Sequence, residues 1–174
     1  TTYESVDTIE NFTIDLKNMC DEMIEETVAS FLCAAEKCNP KLPTYIPIIL
    51  HGDHPSDRSK IPDVRAIPSK IIAGVGHKLY LEIMLPVVQS ADGYYIDTKV
   101  NLHPAVKTLF RTEDSNKIFV AHNARSSILI IELVLKSLTN GHDFEFGRYM
   151  DTAVIWTKYG GYARDEYDLI YMYR

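Results

Sequence analysis

The chain is poor in the residues that would announce a special scaffold. Only three of its 174 residues are cysteine: Cys20, Cys33 and Cys38. So sparse and odd a set excludes a disulfide framework. Tryptophan occurs once, and glycine and proline eight times each, with no internal repeat and no low-complexity tract. No apolar run approaches the roughly 20 residues of a membrane span, and no signal peptide is visible. The expectation is therefore an intracellular, reducing setting with no membrane contact. Positive charge is in deficit: 18 Lys and Arg stand against 24 Asp and Glu, for a net charge of −6. That balance argues against a bulk electrostatic grip on a phosphate backbone. It does not exclude local basic patches or a metal site, which is itself acidic.

Apolar residues make up 46 % of the chain, enough for a real core and against disorder. The length predicts one domain, or one domain with an appendage. The chain begins at Thr1 rather than Met, so it reads as an excised domain or processed form of a larger protein. Asn11-Phe12-Thr13 is a glycosylation sequon, but such triplets arise often by chance.

Residues 8–37 read as one amphipathic helix, within an N-terminal unit of 1–40. Phe12, Leu16, Met19, Met23, Ile24, Val28, Phe31, Leu32 and Ala35 recur at helical steps, with Asp15, Asp21, Glu22, Glu25 and Glu26 on the other face. Cys20 and Cys33 fall inside it and read as buried fillers, and Asn39-Pro40 stops it. Such a helix packs on the rest of the domain or is offered to a partner or a second copy.

Residues 41–174 form the second unit. Tyr45–Leu50 reads as a strand, His51–Lys60 as a polar loop, 61–69 as irregular, and Lys70–Val75 and Leu79–Val88 as β-rich around a bend at Gly74 and Gly76. Ser90–Gly93 is a turn and Tyr94–Val100 the next strand. Pro104–Phe110 opens a short helix, and Ile118–Ala121 is a strand. A mostly buried helix then runs to Leu138, capped by Ser126 or Ser127 and ended by Asn140-Gly141. Tyr149–Trp156 is the last strand, broken at Gly160-Gly161, and Arg164–Arg174 a short helix. Strands alternating with helices favour an α/β sheet with a parallel part.

Lys117-Ile-Phe-Val-Ala-His-Asn-Ala124, the apolar helix behind it and Met150-Asp-Thr-Ala-Val-Ile-Trp156 make the most informative stretch. This order resembles the middle of the DnaQ-like (DEDD) exonucleases, and is similar to it over about 44–168. The resemblance implies an RNase H-like α/β fold: a mixed sheet flanked by helices, here with a long N-terminal helix. His122, Asn123, Asp151 and Thr152 stand on family motif positions. The family's metal-binding carboxylates do not. Ser126 and Ser127 replace its aromatic–Asp pair, and a hydroxyl is a poor ligand for a hard cation. Where the first strand bears Asp-x-Glu, this chain has Ile48-Ile-Leu-His-Gly-Asp53, with only Asp53 acidic. The last motif reduces to Gly161-Tyr-Ala-Arg-Asp-Glu166, which offers Glu166 without its His. Two-metal phosphoryl chemistry needs several convergent carboxylates holding ions about 4 Å apart. The resemblance thus implies a pseudoenzyme: an exonuclease-like interaction module in a nucleic-acid-handling protein, with no cofactor.

Other constellations compete. Glu82, Asp97 and Lys99 on neighbouring strands, with Asp63 before them, are similar to a restriction-type (PD-(D/E)xK) nuclease core. An active nuclease would use Mg²⁺ or Mn²⁺ through Asp53, Glu82, Asp97, Lys99 and Glu166. The alternative for Asp-x-Lys is a cross-strand salt-bridge face. His51, Asp53, His54 and Asp57, with His77 or His103, offer metal ligands at a spacing no zinc pattern shares; the alternative is a solvated turn. His122 reads as a structural hydrogen-bonder rather than a base, and no elbow motif supports Ser126 or Ser127 as nucleophile. Near the end, Arg148, Tyr162 and Arg164 mark a binding surface for unpaired bases or for a protein. A pure scaffold or oligomerisation domain is the third reading.

Overall fold

A computed structural model of the chain describes residues 9–38, 43–76, 78–111 and 116–155. In chain order the elements are β1 (Glu10–Asp15), α1 (Asp21–Cys38), β2 (Thr44–His51), β3 (His54–Pro55), β4 (Ala66–Ile67), β5 (Lys70–Val75) and β6 (Leu79–Met84). There follow β7 (Val87–Ser90), β8 (Gly93–Ile96), α2 (Pro104–Phe110), β9 (Lys117–Ala121), α3 (Ala124–Ser137) and β10 (Tyr149–Asp151).

The main sheet runs β1-β6-β5-β2-β9-β10. Neighbours among β6, β5 and β2 are antiparallel, whereas β9 lies parallel to β2 and β10 parallel to β9. Three antiparallel strands followed by two reached through helices is the RNase H-like arrangement. β1 adds a parallel edge strand beside β6. Strict alternation builds the core: Ile46 and Ile48 of β2, Ile71, Ala73 and Val75 of β5, and Leu79, Leu81 and Ile83 of β6 are all buried. α1 packs on α2, β1 and β6, and α3 on β9 and β10. β3 with β4, and β7 with β8, form two small ribbons outside the main sheet.

The expected helix over 8–37 is two elements. Phe12, Leu16 and Met19 fit a helical period, but Phe12, Ile14 and Leu16 also alternate, and alternation wins. Ile14 and Leu16 are buried while Asn11 and Thr13 are exposed. The free edge of β6 supplies a ladder that an isolated helix lacks. Asp15 then turns the chain, its carboxylate accepting the N–H groups of Lys17 at 3.0 Å and Asn18 at 3.2 Å. Beyond the turn, α1 buries one stripe, Ile24, Val28, Phe31 and Ala35. Cys20, Cys33 and Cys38 are exposed, against the expectation for the first two. Cys33 sits about 200° round the helix from Phe31 and so faces water.

Several other boundaries differ for local reasons. The polar loop and the irregular stretch after β2 pair with each other as β3 and β4. Leu85-Pro86 interrupts the β-rich run after β6. The strand expected over Tyr94–Val100 stops at Ile96, where Asp97 Oδ1 accepts the Lys99 N–H at 3.1 Å and bends the chain. The N-cap of α3 is Asn123, not a serine, and the Asn123 side chain itself makes no capping bond. It is less buried than expected, since Leu129 and Leu133 are 49 % and 44 % exposed. The strand expected over Tyr149–Trp156 ends at Asp151, whose Oδ1 accepts the Ala153 N–H at 2.9 Å and starts a helical turn. Trp156 and the expected helix Arg164–Arg174 lie outside the described residues. No helix among the described residues is long and apolar enough to cross a membrane.

Candidate functional site

The motif residues singled out by resemblance meet at one corner, where β9 and β10 end side by side with Asp151 opposite Ala121. Immediately after β9 the chain must reverse into α3. Asn123 makes the reversal in the left-handed region, at φ 54 and ψ 49, a conformation asparagine tolerates better than most residues. Ala124 is fully buried beneath the turn. Its N–H, one of the helix's unpaired donors, goes to Asp151 Oδ2 at 3.0 Å. The other oxygen of Asp151 takes the Ala153 N–H at 2.9 Å. His122 Nδ1 pairs with Thr152 Oγ1 at 2.9 Å. Ala-His-Asn-Ala and Asp-Thr are thus two halves of one staple joining β9, α3 and β10. The His122 ring also places Nε2 in the interior, without a hydrogen-bond partner among the described residues.

Among the described residues, the acids proposed for an active nuclease form no metal-holding group. Asp53 is exposed in the turn after β2, beyond Gly52 at φ 93. Glu82 lies mid-strand, in register with Ile72 of β5, and is bound to Lys70 at 3.3 Å. That ion pair is a cross-strand salt bridge. Asp97 and Lys99 sit in a turn rather than on a strand beside Glu82, because β8 pairs with β7 and not with the main sheet. The adjacency that a restriction-type core requires is therefore not formed. Asp63 is exposed. Ser126 is exposed and Ser127 half-buried on the first turn of α3, and both of their N–H groups go to Asn123 O. Tyr162, Arg164 and Glu166 lie outside the described residues. Arg148 is exposed, and its carbonyl accepts the Phe119 N–H at 3.1 Å.

The histidine–aspartate loop separates as well. His51 ends β2, His54 stacks on Tyr94 with ring centroids 4.7 Å apart, and His103 caps α2 by accepting the Ala105 N–H at 3.0 Å. His77 lies outside the described residues. Asp57 turns inward and is only 2 % exposed. It accepts the Ser59 hydroxyl at 2.5 Å, the Ser90 hydroxyl at 2.8 Å and the Ser59 N–H at 3.1 Å. These bonds, the Ser59 hydroxyl foremost, hold its carboxyl below the usual carboxylate value. Among the described residues no group of three His, Cys, Asp or Glu side chains is placed to hold a metal ion.

The sequence reading passed over a different assembly. Lys17, from the turn after β1, Lys60, from the loop between β3 and β4, and Lys99, after β8, line one groove of about 680 Å³. Tyr95 lines it too, with the Lys60 ammonium 3.7 Å above the ring centroid. These residues are scattered in sequence, and although Lys99 stood in the Asp-x-Lys pattern, only the fold unites it with Lys17, Lys60 and Tyr95.

No family model matches the chain, and no curated protein matches it in sequence. Among solved structures, one described as "apo form of the nuclease" is similar in fold, with a TM-score of 0.51 at 13 % identity. The match covers 93 % of this chain and 56 % of that one, so the chain spans little more than half the length of that nuclease. At such identity the likeness is one of architecture. The chain has a mixed α/β fold of nuclease type.

Proposed function

We propose that this domain is a degenerate member of the DnaQ-like exonucleases: a non-catalytic interaction module within a nucleic-acid-handling protein. The observation that carries the proposal is the use made of the motif corner. Both oxygens of Asp151 accept backbone N–H groups, and His122 is tied to Thr152. These residues serve the architecture. At the positions where the family places carboxylates, Ser126 and Ser127 offer only hydroxyls, which bind hard cations weakly. Protein contact is supported by the outer face of α3, where Leu129 and Leu133 are largely exposed one turn apart.

The test is a cleavage assay on end-labelled single-stranded RNA and DNA with Mg²⁺ or Mn²⁺, run beside Glu82→Ala, Asp97→Ala and Asp53→Ala. The expected result is no cleavage by any form. Metal-dependent cleavage that one of these substitutions removes would establish a working nuclease instead. Calorimetric titration with Mn²⁺ gives an independent reading, with no heat of binding expected.

A further inference from the structure

We propose that the groove around Tyr95 binds a nucleoside phosphate, either free or as the terminal nucleotide of a single strand. Lys17, Lys60 and Lys99 would take the phosphate, and the adjoining apolar cavity the base. None of these residues belongs to the motif corner, so this site is independent of whether the corner once cleaved anything.

Charge is the first observation. The chain is acidic overall, at −6, yet three lysines from three separate loops line one groove where Asp97 is the only lining carboxylate among the described residues. Asp97 already accepts the Lys99 N–H. Two further carboxylates stand behind the lining and attract its lysines, Asp15 acting on Lys17 and Asp57 on Lys60. Within the lining itself three lysines face one carboxylate, a balance that favours an anionic ligand.

Shape is the second. The groove's volume of about 680 Å³ lies within the range of small-molecule sites, roughly 300–1,000 Å³. It opens onto a cavity of about 230 Å³ that shares Lys60, Ile61, Ile96 and Thr98 with it. Val64, Ile67 and Val134 supply that cavity's apolar depth. A charged mouth beside a mainly apolar recess, with Asp63 in its lining, suits a ligand with a phosphate at one end and a flat ring at the other. Inorganic phosphate would leave the recess empty, and a plain hydrophobe would leave the lysines unanswered. Tyr95, held under Lys60 at 3.7 Å, offers a ring face for stacking beside the phosphate seat.

The experiment measures binding of five probes to the whole chain by calorimetry or amide chemical shifts: AMP, adenosine, inorganic phosphate, 5′-phosphorylated oligothymidylate and its 5′-hydroxyl counterpart. AMP, or the phosphorylated strand, should bind at least tenfold more tightly than adenosine or phosphate alone. Preference between the two names the source of the nucleotide. Lys60→Glu with Lys99→Glu, both on exposed turns, should weaken binding about tenfold or more, on the scale of charge-assisted bonds. Ser137→Phe, at the rim of the apolar cavity, should weaken AMP without changing phosphate. Circular dichroism checks that each variant is folded. The proposal is overturned if neither AMP nor the phosphorylated strand binds, if the double charge reversal leaves affinity unchanged, or if phosphate alone binds as well as AMP. These results are separable from the cleavage assay, which reads a different corner.

Discussion

The carboxylate of Asp151 accepts the backbone N–H of Ala124 at 3.0 Å, so the end of β10 caps the helix that leaves β9. The pair is separated by 27 residues, and the contact fixes where α3 starts. It is the joint through which the parallel half of the sheet acquires its corner.

Asp151→Ala should destabilise the domain by about 2–3 kcal/mol, because it strands two backbone donors that a carboxylate now satisfies. Asp151→Asn should cost roughly half as much, since the amide oxygen keeps one of them. Urea unfolding followed by far-ultraviolet circular dichroism measures both, and equal costs for the two substitutions would contradict the double role.

His122 and Thr152 should be energetically coupled. A double-mutant cycle of His122→Phe and Thr152→Val is expected to give an interaction of about 0.5–1.5 kcal/mol. A coupling of zero would mean that the 2.9 Å contact contributes nothing net.

Asn123 holds a left-handed conformation, so the backbone rather than the side chain sets its tolerance. Asn123→Ala should cost about 1 kcal/mol, while Asn123→Gly should be nearly neutral or slightly stabilising. Thermal melts of the two variants decide the order, and the reverse ranking would contradict this account.

Asp57 predicts an acid limb. Its folded carboxyl titrates below the ordinary value of 3.8, owing first to the Ser59 hydroxyl and then to Ser90. A depressed folded value means that the stabilisation is complete above the unfolded value and is lost as pH falls through the folded one. Asp57→Asn should therefore lower stability at neutral pH and flatten its decline below about pH 4. Denaturant midpoints between pH 7 and 2 test this, and parallel wild-type and variant profiles would refute it.

Strands β2, β5, β6 and β9, with helix α3, were legible because alternation and helical spacing are local properties of the chain. So was the corner, because Ala-His-Asn-Ala and Asp-Thr keep their spacing along the sequence. Residues 10–20, read as the first turns of a helix, were misread for a physical reason. Phe12, Ile14, Leu16 and Met19 satisfy two periods at once, and the open edge of β6 chose between them. Cys33 was misplaced for a different reason: it lies on the face of α1 turned away from the buried stripe of Ile24, Val28, Phe31 and Ala35. Asp97 was read into a strand because its bend depends on a side-chain bond to Lys99, which no periodicity records.

The residues by themselves determined the α/β class and the alternating buried faces of β2, β5 and β6, since each follows from identity and short-range order. Only the tertiary structure decided that Asp151 spends both oxygens on backbone donors, that Glu82 answers Lys70, and that Lys17, Lys60, Lys99 and Tyr95 share a groove. Those relations join residues tens of positions apart, and chain closure around a common sheet, rather than any local preference, sets which of them meet.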